Sequence, residues 1–188
     1  MGSPKALLRS PDGRLFVTRI VDTLRESGIA NVVVVTGRDH HAIVDALQHA
    51  RRSPLIVRNP DPARGQLSSM LVGMDAVVNA NTDGVLMTLV DVPMVRVSTV
   101  VQVISEWRRT RAPIVRPAIG HRHGHPVIFD RSVFDALRAA PLEGGAKSVV
   151  RAHEHDLLNV PVSDEGCLVD VDTPEQYRRM NEARGTKN

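Results

Sequence analysis

Short continuous apolar runs alternate along the chain with longer stretches whose apolar residues recur every three or four positions. Residues 31–36 and 85–90 are the clearest runs, and because they have no polar side to turn to water we predict two fully buried strands there. Weaker strand signals lie at residues 55–57, 114–115, 127–129 and 157–162. Helical spacing is found at residues 15–24, 43–47, 67–78, 98–110, 132–139, 146–153 and 174–184.

Strands that alternate with helices imply right-handed crossover connections between neighbouring parallel strands. We therefore predict a doubly wound α/β fold with a mostly parallel sheet and helices on both faces. The length of 188 residues suits one domain, which we place at residues 1–184, followed by a disordered tail at 185–188. Ligands of such folds bind beyond the carboxyl ends of the strands, so the residues after each apolar run are the candidates for chemistry.

Apolar residues make up 42% of the chain and charged residues 24%, a balance typical of a packed globular domain. No apolar stretch approaches the roughly 20 residues that cross a bilayer, so we expect no membrane span and no secretory signal, and the single Cys167 fits a reducing cytoplasm. The net charge of +3 arises from 24 basic residues spread among 21 acidic ones, and only 3% of residues are aromatic. This pattern does not favour nucleic-acid binding, but it suits a small phosphorylated substrate.

Two acidic motifs follow apolar runs where the edge of the sheet is expected. Asp91 comes directly after the 85–90 run, and Asp172 ends an Asp-Val-Asp motif at 170–172, just before the last helix. Carboxylates in such places can hold Mg²⁺, which takes one or two carboxylates together with substrate phosphates. The alternative is structural, with Asp91 capping a turn before a proline and Asp172 or Thr173 capping the helix, and the two roles are compatible.

Residues 59–66 lead from a strand signal into the helix predicted at 67–78. Gly65 permits close approach of a ligand to the backbone, and the amide of Gln66 offers both a donor and an acceptor to the edge of a base. The start of the helix presents free N–H groups to an anion. Taken alone, this segment indicates only a turn into a helix.

Three histidines alternate at His121, His123 and His125, a spacing for which zinc binding is one interpretation. Glycines at 120 and 124 interrupt the segment and a proline ends it, so a loop is favoured over a rigid row of ligands. The chain has no Gly-x-Ser-x-Gly motif and Cys167 has no convincing partner, so nothing indicates covalent catalysis.

The order of several weak motifs carries more information than any one of them. These motifs are Met1-Gly2-Ser3-Pro4-Lys5, Val35-Thr36-Gly37, the segment 59–66, Asp91-Val92-Pro93, Gly124-His125-Pro126-Val127, Gly144-Gly145-Ala146-Lys147 and the segment 170–175. Together they resemble the nucleotidyltransferases of molybdenum-cofactor maturation, most closely the molybdenum cofactor cytidylyltransferases. That family opens with a strand followed by L-A-A-G-x-S-x-R-M-G-x-P-K, and residues 1–5 match the end of this signature. The resemblance implies a Rossmann-like nucleotidyltransferase fold.

The resemblance also implies a reaction: transfer of a nucleotide from a nucleoside triphosphate, with CTP favoured, to the terminal phosphate of molybdenum cofactor, with release of pyrophosphate. Lys5 would be the catalytic residue that neutralises charge on the triphosphate, and Asp91 and Asp172 would hold Mg²⁺. The implied nucleotide-binding residues are Gly2, Lys5, Asn59, Gly65 and Gln66. Those implied for the phosphorylated pterin acceptor are His125, Gly145 and Lys147. A recipient molybdoenzyme or its chaperone is a further candidate partner.

The chain departs from the family pattern at its start. The glycine-rich half of the signature, its arginine and the first strand have no counterpart here, since they would precede Met1. We therefore expect the first central strand to be absent, a gap in the sheet at its place, and a natural protein that starts upstream. Three alternatives stay open: a guanylyltransferase, a transferase for another phosphorylated acceptor, and a non-catalytic carrier of a nucleotide or a pterin.

Overall fold

The computed structural model describes residues 4–48 and 53–182. Its helices are α1 (Phe16–Glu26), α2 (His40–Leu47), α3 (Gln66–Val77), α4 (Val97–Thr110), α5 (Phe134–Ala139), α6 (Gly145–Ala152) and α7 (Pro174–Glu182). Its strands are β1 (Val33–Thr36), β2 (Leu55–Arg58), β3 (Gly84–Met87), β4 (Ile114–Ile119), β5 (Arg122–His123), β6 (Val127–Asp130) and β7 (Leu158–Pro161). The tail expected at 185–188 and the expected nucleotide-binding Gly2 lie outside the described residues.

The strands form two sheets. β1 and β2 pair in parallel, and a second sheet has the order β3-β6-β4-β5 with β7 on β4. The predicted α/β class is confirmed, with parallel pairs β1-β2 and β4-β7, and the larger sheet is mixed, because β6 runs antiparallel to both β3 and β4, and β5 runs antiparallel to β4. Only residues 120–126 separate β4 from β6, which is too short for the crossover that parallel strands require.

Helices cover both faces of the larger sheet, as neighbouring residues of β6 demonstrate. Ile128 packs in one cluster with Val103 of α4, whereas Phe129 packs in another with Met70 of α3 and Leu137 of α5. Successive side chains of a strand point to opposite faces, so α4 lies on one face and α3 and α5 on the other. Burial on both faces is why strand sequences of this kind are apolar throughout.

The two sheets are separated by a cavity of about 890 Å³ that both β1 and β3 line. Its apolar walls come from helices on either side, including Ile20 of α1, Met74 of α3 and Ile104 of α4. Within the part of the chain that is described, no helix combines the length and the apolar character that crossing a membrane requires.

Gly84, the first residue of β3, is expected to tolerate no larger side chain. A methyl group at this position would lie 2.5 Å from Cζ2 of Trp107. The indole cannot easily yield, since its Nε1 donates to Oδ2 of Asp130 at 3.0 Å and the Arg111 guanidinium stacks 4.7 Å from the ring centroid. We expect Gly84→Ala to lower the free energy of unfolding by about 2 kcal/mol in urea titrations.

A double variant separates this clash from a general loss of strand stability. Adding Trp107→Phe removes the indole atoms that the new methyl group meets, so the two changes together should cost less than the sum of their separate effects. The packing argument would be contradicted if the losses of stability from Gly84→Ala and Trp107→Phe were strictly additive, or if Gly84→Ala were as stable as the parent.

Candidate active site

The chain that follows β3 brings Asp91 to the end of the sheet, where it meets two residues that are remote in sequence. Lys5 Nζ lies 3.2 Å from Oδ2 of Asp91, 86 residues away, and also pairs with Oδ1 of Asp172. The side chains of Lys5 and Asp91 are 32% and 22% exposed, so the pair is reachable from solvent without being fully hydrated. The structure thus brings the predicted lysine and both predicted carboxylates together.

A short segment before α7 carries the second carboxylate to this place. The Val171 amide donates to the Asp91 carbonyl at 2.8 Å, and the His125 amide donates to the Cys167 carbonyl at 2.9 Å. The two hydrogen bonds fasten residues 167–171 to the turn after β3 on one side and to the start of β6 on the other. Asp170 and Asp172 flank the fastened Val171, so their positions relative to Asp91 depend on this backbone pairing.

The cap of α7 leaves the Asp172 carboxylate available. Thr173 Oγ1 accepts from the Gln176 amide at 3.2 Å, while Oε1 of Gln176 accepts from the Thr173 and Asp172 amides, each at 2.8 Å. This reciprocal arrangement is a capping box, with Thr173 as the capping residue. The helix start is therefore satisfied without the Asp172 side chain, which instead pairs with Lys5.

A second set of contacts holds the turn that contains Asp91. Nε of Arg19 on α1 donates to the Pro93 carbonyl at 2.8 Å, and the same guanidinium pairs with Asp12. Burial alone would raise the pKa of Asp12, but hydrogen bonds from Arg14 and Ser10 and the charge of Arg19 hold it well below the usual range of a carboxyl. Asp12 is therefore ionised across the physiological range and keeps Arg19 on the turn.

Negative charge exceeds positive charge at this site. Burial alone would lower the pKa of Lys5, but its hydrogen bonds to Asp172 and Asp91 outweigh burial and raise it above the ordinary value of a lysine. Burial and the neighbouring charge of Asp91 raise the pKa of Asp170. Three carboxylates therefore share one ammonium group, and a further cation would relieve their repulsion.

The donor set fits a hard divalent cation. Oδ1 of Asp91 is buried and has no hydrogen-bond partner among the described residues, and the Lys5 ammonium already shows that a cation can lie between Asp91 and Asp172. No group of three or more His, Cys, Asp or Glu in the described ranges is arranged to hold a metal by itself. A pair of carboxylates that leaves the other positions to phosphate oxygens and water is the arrangement that Mg²⁺ prefers.

His125 lies beside the carboxylates as a neutral imidazole. Burial lowers its pKa, against the opposing effects of a hydrogen bond to the Met87 backbone and the charges of Asp170 and Asp91. Its Nδ1 is buried without a hydrogen-bond partner in the part of the chain that is described. His123 lies on β5 and His121 precedes that strand, both exposed, so the three histidines do not form a row of metal ligands.

The other two residues predicted to bind the acceptor lie on α6. Gly145 begins this helix with φ +57°, and Lys147 is exposed one position before Ser148. In residues 4–48 and 53–182, no hydrogen bond or ion pair connects either of them to Lys5 or the aspartates. Their role toward an acceptor stays a prediction.

The segment 59–66 forms a tight turn into α3. Asn59 is buried, and its amide donates to Oγ of Ser68 at 2.8 Å and of Ser69 at 3.0 Å, while its Oδ1 accepts from the Asp61 amide. Gly65 has φ +89° and ψ −176°, a conformation that is essentially restricted to glycine. Gln66 is exposed at the first position of α3. Asn59 therefore stabilises the turn from within, whereas Gly65 and Gln66 are exposed, and the roles of all three toward a nucleotide stay predictions.

The site places an ammonium group among carboxylates, beyond the ends of the strands of an α/β fold. This arrangement suits a phosphorylated ligand and a divalent cation. Residues 1–157 match the sequence model of the MobA-like NTP transferase domain, and the chain belongs to this family. The family resemblance found in the sequence is thereby confirmed.

Known relatives agree with this assignment. The chain is 30% identical over 187 residues to a probable molybdenum cofactor guanylyltransferase of Rhodopirellula baltica, covering 93% of this chain and 82% of that protein. Among solved structures it is similar to Rv0371c of Mycobacterium tuberculosis, with a TM-score of 0.80 at 27% identity over 97% of this chain and 90% of the other. A structure of Rv0371c in complex with manganese gives a TM-score of 0.76 at 26% identity, covering 96% and 93%.

Sequence reasoning missed two features of the site. Asp170 was considered only as part of its motif, although its spacing of two from Asp172 places it beside the same buried Val171. The contact of Arg19 with Pro93 has no sequence signal, because a charged residue in an amphipathic helix looks the same whether it faces water or a distant carbonyl.

Proposed function

We propose that this protein transfers a nucleoside monophosphate from a nucleoside triphosphate to the terminal phosphate of molybdenum cofactor, with release of pyrophosphate. The observation that carries the proposal is the convergence of Lys5, Asp91 and Asp172 beyond β3. Membership of the MobA-like NTP transferase family and similarity to a molybdenum cofactor guanylyltransferase support it. The proposal includes a cytoplasmic location and delivery of the product to a recipient molybdoenzyme or its chaperone.

In the proposed reaction, an oxygen of the acceptor phosphate attacks the α-phosphorus of the triphosphate. A new P–O bond forms to the acceptor, and the bond between the α-phosphorus and the bridging oxygen breaks, so that pyrophosphate leaves with the electron pair. Such a transfer depends on positioning and charge neutralisation more than on proton transfer. Lys5 would place its positive charge against the triphosphate, and its raised pKa keeps it protonated at neutral pH.

Asp91 and Asp172, with Asp170 beside them, would hold the divalent cation, for which we propose Mg²⁺. When bound, the ion would neutralise the phosphates of the nucleotide. The unpartnered Oδ1 of Asp91 and the surplus of carboxylates support this assignment, as does the manganese complex of the related Rv0371c. His125, next to this cluster, is proposed to contact the acceptor.

The base is the least determined part of the substrate. We propose CTP, on the resemblance of the motifs to cytidylyltransferases, with Gln66 at the exposed start of α3 as the residue that contacts the base. GTP is the second candidate, and the 30% identical probable molybdenum cofactor guanylyltransferase of Rhodopirellula baltica favours it.

Incubation with molybdenum cofactor, Mg²⁺ and each of the four nucleoside triphosphates tests the proposal. We expect pyrophosphate release and formation of a pterin dinucleotide with CTP, and neither product when the acceptor is left out. Turnover with GTP alone would replace the cytidylyl assignment by the guanylyl one. If none of the four nucleotides supports turnover in a folded protein that still binds the pterin, the result would contradict the proposed enzymatic activity and favour a carrier.

A further inference from the structure

Helix α7 begins two residues after Asp172, and few polar contacts attach it to the rest of the protein. No residue of the helix, Pro174–Glu182, is buried. Among the residues that the structure describes, the hydrogen bonds and ion pairs of its side chains stay within residues 172–182, with the Tyr177 hydroxyl as the exception. The position of α7 therefore depends on this hydroxyl and on the backbone hydrogen bond of Val171 that precedes the helix.

The Tyr177 hydroxyl attaches α7 to the segment that supplies Lys5. It donates to the Arg9 carbonyl at 3.0 Å, across 168 residues. The chain between Lys5 and Arg9 is held by two backbone hydrogen bonds of Leu8. The Leu8 amide donates to the Lys5 carbonyl at 3.1 Å, and the Leu8 carbonyl accepts from the Phe16 amide at 2.8 Å. The hydroxyl thus joins α7 to the same turn from which the Lys5 side chain extends.

The Tyr177 ring makes a second contact with this part of the protein. It meets the Phe16 ring edge to face, with centroids 6.1 Å apart and an interplanar angle of 61°. Phe16 is fully buried as the first residue of α1, so it gives the helix a fixed surface. Aromatic pairs tolerate centroid distances of about 4.5–7 Å, whereas O–H···O hydrogen bonds span only about 2.5–3.0 Å. The ring therefore holds α7 against the protein, and the hydroxyl selects one position on that surface.

The Asp172 side chain depends on this attachment. It is 56% exposed, and it forms an ion pair with Lys5. An exposed ion pair is screened by water and does little to hold two segments together. Tyr177 lies five residues after Asp172, and Arg9 lies four residues after Lys5. The tyrosine hydrogen bond and the ion pair thus join the same two segments at neighbouring points, and the less solvent-screened tyrosine contacts maintain the ion pair.

We propose that Tyr177 is a positioning residue of the active site, whose hydroxyl holds α7 on the Arg9 carbonyl and so keeps Asp172 in contact with Lys5. The effect on nucleotidyl transfer rests on the proposed function, because it requires Lys5 and Asp172 to act together on one nucleotide and its cation. The effect on the contact between Lys5 and Asp172 does not, and it can be measured in the protein alone.

Acylation of Lys5 by acetic anhydride, followed by mass spectrometry, tests the contact without metal, nucleotide or turnover. The exposed Lys147 of the same chain is the internal reference. An ammonium group paired with carboxylates is held in its protonated form, and only the free amine reacts. Tyr177→Phe removes the hydroxyl and keeps the ring, and we expect it to raise the rate of Lys5 acylation relative to Lys147 by about 3-fold.

A second background shows whether Tyr177 acts through Asp172. In a protein that carries Asp172→Ala, the contact is already lost, so adding Tyr177→Phe should change the acylation ratio by less than about 1.5-fold. A tyrosine that merely stabilised the fold would have the same effect in both backgrounds. In the otherwise unchanged chain, Tyr177→Phe is expected to lower the rate of pyrophosphate release by about 10-fold, because it loosens a group that positions the cation.

Arg178→Ala is the matched control on the same helix. The Arg178 guanidinium pairs with Glu175 at 2.7 Å, a contact that lies within α7 and does not reach the Lys5 segment. Its loss should leave both the acylation of Lys5 and the rate of pyrophosphate release unchanged. Equal losses from Arg178→Ala and Tyr177→Phe would show that any weakening of α7 has the same effect, and would overturn the specific role of the hydroxyl.

Three further results would overturn the proposal: equal Lys5 acylation in the parent and Tyr177→Phe proteins, an equal increase with and without Asp172, and parental turnover in a Tyr177→Phe protein whose acylation has changed. If acylation responds as expected but the parent itself releases no pyrophosphate, the proposed function fails and the role of Tyr177 in holding Asp172 on Lys5 stands.

Discussion

Asp91→Asn is expected to reduce nucleotidyl transfer by about 1,000-fold or more while leaving the fold intact. Oδ2 of Asp91 pairs with Lys5 and its Oδ1 is buried without a partner, so the carboxylate is the charged group best placed to hold a divalent cation. The amide of Asn keeps the shape and removes the charge. Because the side chain is partly exposed, the loss of its ion pair should change the free energy of unfolding by only about 1 kcal/mol or less. Steady-state rates of pyrophosphate release and urea titrations measure the two effects.

Asp172→Asn is the matched comparison. Its side chain is 56% exposed against 22% for Asp91, so the surrounding water screens its charge more and we expect a smaller loss of rate, about 10-fold to 100-fold. Asp91→Asn should also weaken manganese binding more than Asp172→Asn does, which the paramagnetic signal of the ion measures. If Asp91→Asn keeps full turnover, the proposed cation site is wrong. If neither Asp91→Asn nor Asp172→Asn alters the transfer of a bound nucleotide or pterin to a recipient, a carrier explains the site better than an enzyme.

Much of the fold could be predicted from the sequence because burial leaves a direct trace in composition. The runs at 31–36 and 85–90 are confirmed as the strands β1 and β3, although the strands are shorter than the runs and most of their side chains are half-buried rather than fully buried as predicted. The direction of β6 could not be predicted from its own residues, since an apolar strand has the same composition in either orientation. The length of the connection was the available signal: residues 120–126 are too few for a crossover.

In the candidate site, too, features set by neighbouring residues could be predicted, whereas features set by long-range contacts could not. Asp91 could be located because it directly follows a buried strand, and Asp172 because it precedes a helix. That Lys5 would lie between them depends on contacts across 86 and 167 residues, for which the only signal was the family signature. The sequence also does not reveal that the Asn59 amide is hydrogen-bonded within its own turn, and the role of Asn59 toward a nucleotide, which the resemblance implies, stays a prediction.

Gly124→Ala is expected to lower the rate of nucleotidyl transfer by displacing the segment that carries Asp170 and Asp172. A methyl group at Gly124 would lie 2.0 Å from the Cys167 carbonyl oxygen and 2.7 Å from its carbon, both backbone atoms that cannot rotate away. The same carbonyl accepts from the His125 amide, so relief of the clash must open that hydrogen bond and shift the segment that carries Asp170 and Asp172. Displacement of positioning groups by about 1 Å can cost about 100-fold in rate, and overpacking against backbone costs about 1–3 kcal/mol in stability.

Gly144→Ala is the control for this change, because its new methyl group would come no closer than 3.3 Å to Cβ of Ser148 and its φ of −77° suits any residue. It should stay within about 1 kcal/mol of the parent. Urea titrations and rates of nucleotidyl transfer on both variants separate local packing from catalysis. Because the Gly124 clash acts through the segment 167–172, manganese affinity should fall together with the rate. A Gly124→Ala variant with parental rate and metal affinity would show that the carboxylates do not depend on the Cys167 contact.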